Sequence, residues 1–198
     1  MFRLTTLMIA AVLPLAALAA EGSDLIFADR APWVLPDGGL DWAVTRQSPT
    51  GDTAATLQLD PGAEASTLVM SEQTAAGTRP LSQFPVSAGD PVVVYFLEAV
   101  TRDMASASGG SPFYIRNRIK DALRAGGTVT HDGAGARVTL MPFADNENAA
   151  RMAGFDTLTL RFDIAADPHQ PMPHLHAETA KPVGDKPYVL DLTLKAAP

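Results

Sequence analysis

The chain contains no cysteine. That excludes disulfides, iron–sulfur clusters, thiolate metal sites, thiol nucleophiles and a lipid anchor on a cysteine sulfur. Positive charge is also scarce, with 15 Lys and Arg against 22 Asp and Glu in 198 residues. Nucleic acid is therefore excluded as a general partner, because phosphate binding needs clustered positive charge. The acidity is more simply a solubility feature. Nucleophile motifs are missing as well. No serine lies in a Gly-x-Ser-x-Gly context, no Ser-x-x-Lys pair occurs, and the acidic residues are scattered. The sequence thus gives no catalytic constellation and does not read as an enzyme.

Long apolar runs are absent with one exception, at the N-terminus. Met1-Phe2-Arg3 supplies one positive charge, Leu4 to Leu18 carries none, and Ala17-Leu18-Ala19 offers small residues at the −3 and −1 positions. This is the pattern of a cleavable secretory signal. An apolar stretch of about 15 residues falls short of the roughly 20 that span a bilayer as a helix, and Pro14 argues against an anchor in the same direction. The expectation is a signal peptide over 1–19, cut before Ala20 or, alternatively, before Glu21. A single mature domain then covers 20–198, periplasmic or secreted and not membrane-spanning after processing. Loss of Arg3 leaves 14 basic against 22 acidic residues, a net charge of −8. Exported small domains often rely on disulfides; this one must be held by its core, and its length suffices for that.

What is present beyond the signal is mostly two-residue alternation, the mark of strands with one buried face. Leu40, Trp42 and Val44 alternate with polar or small neighbours, as do Leu57 with Leu59, Leu68 with Met70, and Val138 with Leu140. Leu158, Leu160, Phe162 and Ile164 face one way, with Thr159, Arg161 and Asp163 opposite. Tyr188, Leu190, Leu192 and Leu194 repeat the pattern, with Val189, Asp191, Thr193 and Lys195 opposite.

The middle of the chain changes period. Asp90-Pro91 is a capped helix opening, and Val93, Phe96, Leu97, Val100 and Met104 then form a stripe that ends at Gly109-Gly110. Ser111-Pro112 opens a second helix with Ile115, Ile119, Ala122 and Leu123 on its apolar side and Gly126-Gly127 at its end. Strands, two consecutive helices and strands again do not alternate as a parallel sheet would. The expected class is α+β: a curved, mostly antiparallel sheet with two consecutive helices, about 91–107 and 112–125, packed on one face.

Three groups of residues are candidates for function. The first is the segment 169–178, His-Gln-Pro-Met-Pro-His-Leu-His-Ala-Glu, which holds three of the four histidines. On a strand His174, His176 and Glu178 project from one face. His169, Met172, His174 and His176 are then candidate ligands for copper or zinc, since imidazole suits both and a thioether favours Cu(I). The plainer reading of the same residues is a solvated polar strand face. The second group is a basic stripe, Arg116, Lys120 and Arg124, spaced by four on the second helix and suited to an acidic protein partner or an anionic headgroup. Its plainer reading is a solvated helix face. The third is a set of large apolar side chains, among them Phe96, Met104, Phe113 and Tyr114, that would line a cavity between helices and sheet or else fill the core.

The layout of export signal, antiparallel sheet and interposed helices without cysteine resembles that of the LolA-like periplasmic clamps. That resemblance implies a non-catalytic carrier whose ligand is a lipid or lipoprotein, with Arg116, Lys120 and Arg124 as a docking face. The expected function is accordingly an exported carrier of an apolar or amphipathic ligand with no cofactor. A copper- or zinc-binding protein is the alternative, and a scaffold without a small ligand stands third.

Overall fold

The computed structural model describes residues 15–28, 35–36, 38–86, 89–133, 135–167 and 169–195, the backbone alone for 15–20. Strands β1 (Leu40–Ser48), β2 (Gly51–Pro61), β3 (Thr67–Thr74) and β4 (Gly77–Pro85) come first after an N-terminal helix, α1 (Leu15–Ile26). Helices α2 (Pro91–Ser108) and α3 (Pro112–Ala125) follow. Strands β5 (Thr128–Asp132), β6 (Gly135–Leu140), β7 (Leu158–Ala165), β8 (His174–Val183) and β9 (Lys186–Leu194) complete the chain.

The nine strands among the described residues form one antiparallel sheet in the order β4-β3-β2-β1-β9-β8-β7-β6-β5. Two meanders, β1–β4 and β5–β9, meet where β1 pairs with β9. The helices connect β4, at one edge, to β5, at the other. That connection has to cross the width of the sheet, which is why α2 and α3 cover one of its faces. The α+β class, an antiparallel sheet with helices between its two meanders, is as the sequence pattern implies; α3 packs against α1 and α2. The sheet is open, neither closed nor curled up.

Helix α2 is capped by a side chain at its start, whereas Ser111 before α3 makes no side-chain capping bond and Pro112 occupies the first turn there. Asp90 accepts from the backbone N–H of Val92 at 2.8 Å and of Val93 at 3.3 Å, Pro91 occupies the first turn, and Gly109 ends α2 with φ 65°. Gly126, at φ 80°, closes α3 by donating to the carbonyls of Ala122 and Leu123, the left-handed cap that glycine adopts without a Cβ penalty. Ile115, Ile119 and Leu123 are buried on α3. On α2 the buried stripe is wider than expected and centred differently, taking in Val92, Tyr95 and Ala99, while Leu97 is only partly buried.

The alternating apolar residues of the strands all turn to the helical side. Trp42, Leu57, Leu59, Leu160, Phe162, Leu175, Tyr188 and Leu190 are fully buried there, in one core with Phe96 and Val100 of α2. Phe96 meets Phe162 edge-on at 5.6 Å between ring centres, a geometry that aligns the positive ring edge with the negative face. Trp42 donates its indole N–H to the Met172 carbonyl at 3.1 Å, tying the loop before β8 to β1.

Two strands carry no alternating signal in the sequence. β4 is exposed along most of its length and contains Pro80 and Pro85, which an edge strand tolerates because one side of its backbone needs no partner. β5, the other edge, is mostly exposed too.

The expected signal segment lies outside the described residues as far as residue 14. From residue 15 the backbone is helical, and α1 lies against α3 and β5. Ile26 is buried, and a Cβ on Gly22 would stand 1.8 Å from the Gly126 carbonyl oxygen. Glu21 Oε1 meets His131 Nε2 at 2.8 Å. No helix among the described residues is long and apolar enough to cross a membrane.

Candidate metal centre

The face of the sheet away from the helices carries the polar half of the alternation. Two cross-strand rows run over it. In one, Arg137, Asp163, His174 and Thr193 are successive neighbours across β6, β7, β8 and β9; in the next, Thr139, Arg161, His176 and Asp191 take the same places. Asp191 is thus the direct partner of His176 and the diagonal neighbour of His174, within reach of both.

The contacts are short. Asp191 Oδ2 lies 2.6 Å from His174 Nε2 and 2.8 Å from His176 Nδ1. Asp191 Oδ1 accepts from the Thr193 hydroxyl at 2.9 Å. On its other side, His174 Nδ1 lies 3.0 Å from Asp163 Oδ2, and Arg137 holds Asp163 through two hydrogen bonds of 2.5 and 2.9 Å. Glu178 stands beside His176, with Oε2 3.6 Å from Nε2, and is itself paired to Arg161 at 3.3 Å. The side chains of His174, His176, Asp163 and Asp191 are between 16% and 28% exposed, so the cluster is reachable from solvent yet largely dehydrated.

Electrostatics follow from this geometry. Both ring nitrogens of His174 face carboxylates, which when ionised only accept hydrogen bonds, so the arrangement favours the doubly protonated ring. Burial alone would lower the His174 pKa, but the hydrogen bonds to Asp191 and Asp163 outweigh it and raise the value above 6.5. Burial pushes the two carboxylates up; hydrogen bonds from Arg137 and His174 to Asp163, and from His174, His176 and Thr193 to Asp191, bring both below the usual value.

No family model, no curated protein and no solved structure matches the chain. The chemistry therefore rests on the side chains themselves. His174, His176 and Asp191 each offer one ligand atom within 4.8 Å of the others. Two imidazoles and a carboxylate are a donor set for a divalent transition ion, and three protein ligands leave a fourth tetrahedral position for water. Asp163 on the far nitrogen of His174 and Glu178 near the far nitrogen of His176 are the outer carboxylates that orient metal-bound imidazoles, and Thr193 orients Asp191.

The expected ligands are only partly brought together. His174 and His176 meet as the strand alternation implies. Met172 is fully buried on the core side, so its thioether does not join them. His169 is exposed in the turn before β8, its backbone N–H donating to Asp167 Oδ1 at 2.9 Å. Asp191 and Asp163 were not recognisable as partners from the sequence. Their strands' alternation gives the face, but only the pairing register says which residue lies opposite a histidine.

The residues expected to bind an apolar ligand are dispersed. Phe96 belongs to the core. Met104 and Tyr114 border a hollow of about 290 Å³ at the α2–α3 turn, shared with Ser108, Ile115, Arg151 and Met152. Phe113 is 71% exposed near it in sequence, and the Tyr114 hydroxyl accepts from Asn146 Nδ2 at 2.7 Å. Of the basic stripe, Arg116 makes two hydrogen bonds to the Glu98 carboxylate, of 2.8 and 3.0 Å. Arg124 pairs with Asp121 at 2.9 Å, and Lys120 is exposed.

Proposed function

We propose that the protein is an exported binding protein for a divalent transition-metal ion, Zn(II) or Cu(II), held by His174, His176 and Asp191. One observation carries this reading: two imidazole nitrogens converge on one carboxylate oxygen, at 2.6 and 2.8 Å, on an accessible polar face. The donor set is nitrogen and oxygen without sulfur, which favours Zn(II) or Cu(II) over Cu(I). Export rests on the N-terminal charge, apolar run and small-residue site. The test is titration of the metal-stripped protein with Zn(II) and Cu(II), followed by calorimetry and by metal analysis after gel filtration. One tightly held ion per chain, lost in His174→Ala/His176→Ala, is the expected result. An undiminished affinity in that variant defeats the reading.

A second reading is the carrier of an apolar or amphipathic ligand. The exposed Phe113, together with the hollow bordered by Met104, Tyr114, Ile115 and Met152, favours it. Organic extraction of natively purified protein tests it: a stoichiometric lipid supports the carrier, and its absence alongside a bound ion favours the metal reading.

A further inference from the structure

On the helical side of the sheet, remote from the histidine face, α2 passes over the β1–β4 half and leaves a cleft of about 260 Å³. Arg46, Glu72 and Arg79 line it from β1, β3 and β4, and Tyr95, Arg102 and Asp103 from α2. Its volume is at the low end for small-molecule sites. The two acids already have partners. Glu72 accepts from Arg79 at 2.7 Å and from the Tyr95 hydroxyl at 2.8 Å. Asp103 accepts from the buried Tyr188 hydroxyl at 2.9 Å.

Arg46 is not satisfied in the same way. Its Nε lies 3.1 Å from Asp103 Oδ2, but the N–H is not aimed at that oxygen, and Nε is buried without a hydrogen bond. A buried donor left unmade costs more than the bond would have contributed. Both tyrosines stay protonated, since burial raises each pKa with the neighbouring carboxylate adding to it. They hold the acids and add no charge. Three guanidinium groups thus share one small cleft with two carboxylates, an excess of positive charge in a chain of net charge −7. Sheet and helix both contribute to it, so the excess is built by the tertiary fold and not by a run of basic sequence.

We propose that this cleft binds a small oxyanion, a carboxylate or phosphate group on a small molecule, with Arg46 at its floor and Arg79 and Arg102 at its mouth. Guanidinium groups supply the paired donors that such groups accept. The incoming oxygens neutralise the excess charge by pairing with the guanidinium groups that line the cleft.

The experiment is a titration of isotope-labelled full-length mature protein with inorganic phosphate and, separately, with acetate, at constant ionic strength set by chloride because exposed charges are screened. Saturable shifts of the amides around residues 46, 79, 95 and 102 are expected with at least one of the two anions. The tighter anion identifies the headgroup. Arg102→Gln and Arg79→Gln should each weaken binding by about tenfold or more, the scale of one charged hydrogen bond. Arg124→Gln, exposed and outside the cleft, should leave it unchanged. Shifts that never saturate with either anion overturn the proposal, as does equal weakening by Arg124→Gln. Neither outcome touches the metal reading, whose residues lie on the opposite face.

Discussion

His174 Nε2 and Asp191 Oδ2 are 2.6 Å apart although the two residues are not opposite one another in the β8–β9 ladder, where His174 faces Thr193 and Asp191 faces His176. One carboxylate therefore serves two imidazoles, the near one straight across and the other on the diagonal. A cation at that point replaces shared protons, so metal affinity and proton binding compete directly.

The individual ligands should separate cleanly in metal affinity. His174→Ala, His176→Ala and Asp191→Asn should each lower it strongly. Asp163→Asn, which meets His174 only at its far nitrogen and also loses charge beside Arg137, should cost about 10–100-fold. Met172→Leu and His169→Ala should leave it unchanged, because Met172 is in the core and His169 sits in the turn before β8. Calorimetric titration of the six variants against the parent decides this. A loss in Met172→Leu equal to that in His176→Ala would show that the ion sits elsewhere.

In the metal-free protein the same cluster should make stability depend on pH. His174 has a raised pKa in the folded state, so its contribution is full below the unfolded value of about 6.5 and is lost as pH rises through the folded value. Asp163 and Asp191 have lowered values. Their contribution is present above the unfolded value of about 3.9 and disappears as pH falls through the folded one. The stability advantage of the parent over His174→Gln should therefore be largest between roughly pH 4 and 6.5 and shrink at higher pH. Urea midpoints measured at a series of pH values test this, and an advantage that grows with pH would contradict it.

Truncation on α2 should discriminate between neighbours. Phe96→Ala removes a fully buried ring packed on Phe162 and should cost about 3–5 kcal/mol. Leu97→Ala, at a partly buried position, should cost clearly less. Equal losses in denaturant unfolding would mean that the helix is rotated from its described orientation.

Docking of α1 should hinge on Gly22, where any side chain runs into the Gly126 carbonyl. Gly22→Val should displace the helix from α3 and β5 and expose Ile26, which hydrogen exchange across 128–132 reports. The proposed export predicts a cut before Ala20 or Glu21, which would leave Glu21, Gly22 and Ile26 in place. The intact mass of the exported protein should therefore begin at residue 20 or 21; a chain still starting at Met1 would rule out the signal.

The periodicities settled a good deal by themselves. A spacing of two placed Leu158, Leu160, Phe162 and Ile164 on one side and Arg161 and Asp163 on the other. Asp90-Pro91, Ser111-Pro112 and the two Gly-Gly pairs bounded both helices: Asp90 and Gly126 act through local hydrogen bonds, while the Ser111 side chain makes none and Pro112 starts α3 through its fixed φ. β4 and β5 escaped notice because edge strands bury too little to alternate. Sequence likewise placed His174 and His176 on one strand face, since side-chain direction is a local property of the backbone. It could not place Asp191 between them, put Met172 in the core, or gather Arg46, Arg79 and Arg102 into one cleft. Those relations join residues from separate parts of the chain, and they exist only once strand register and the path of α2 across the sheet are set by burial of the whole core.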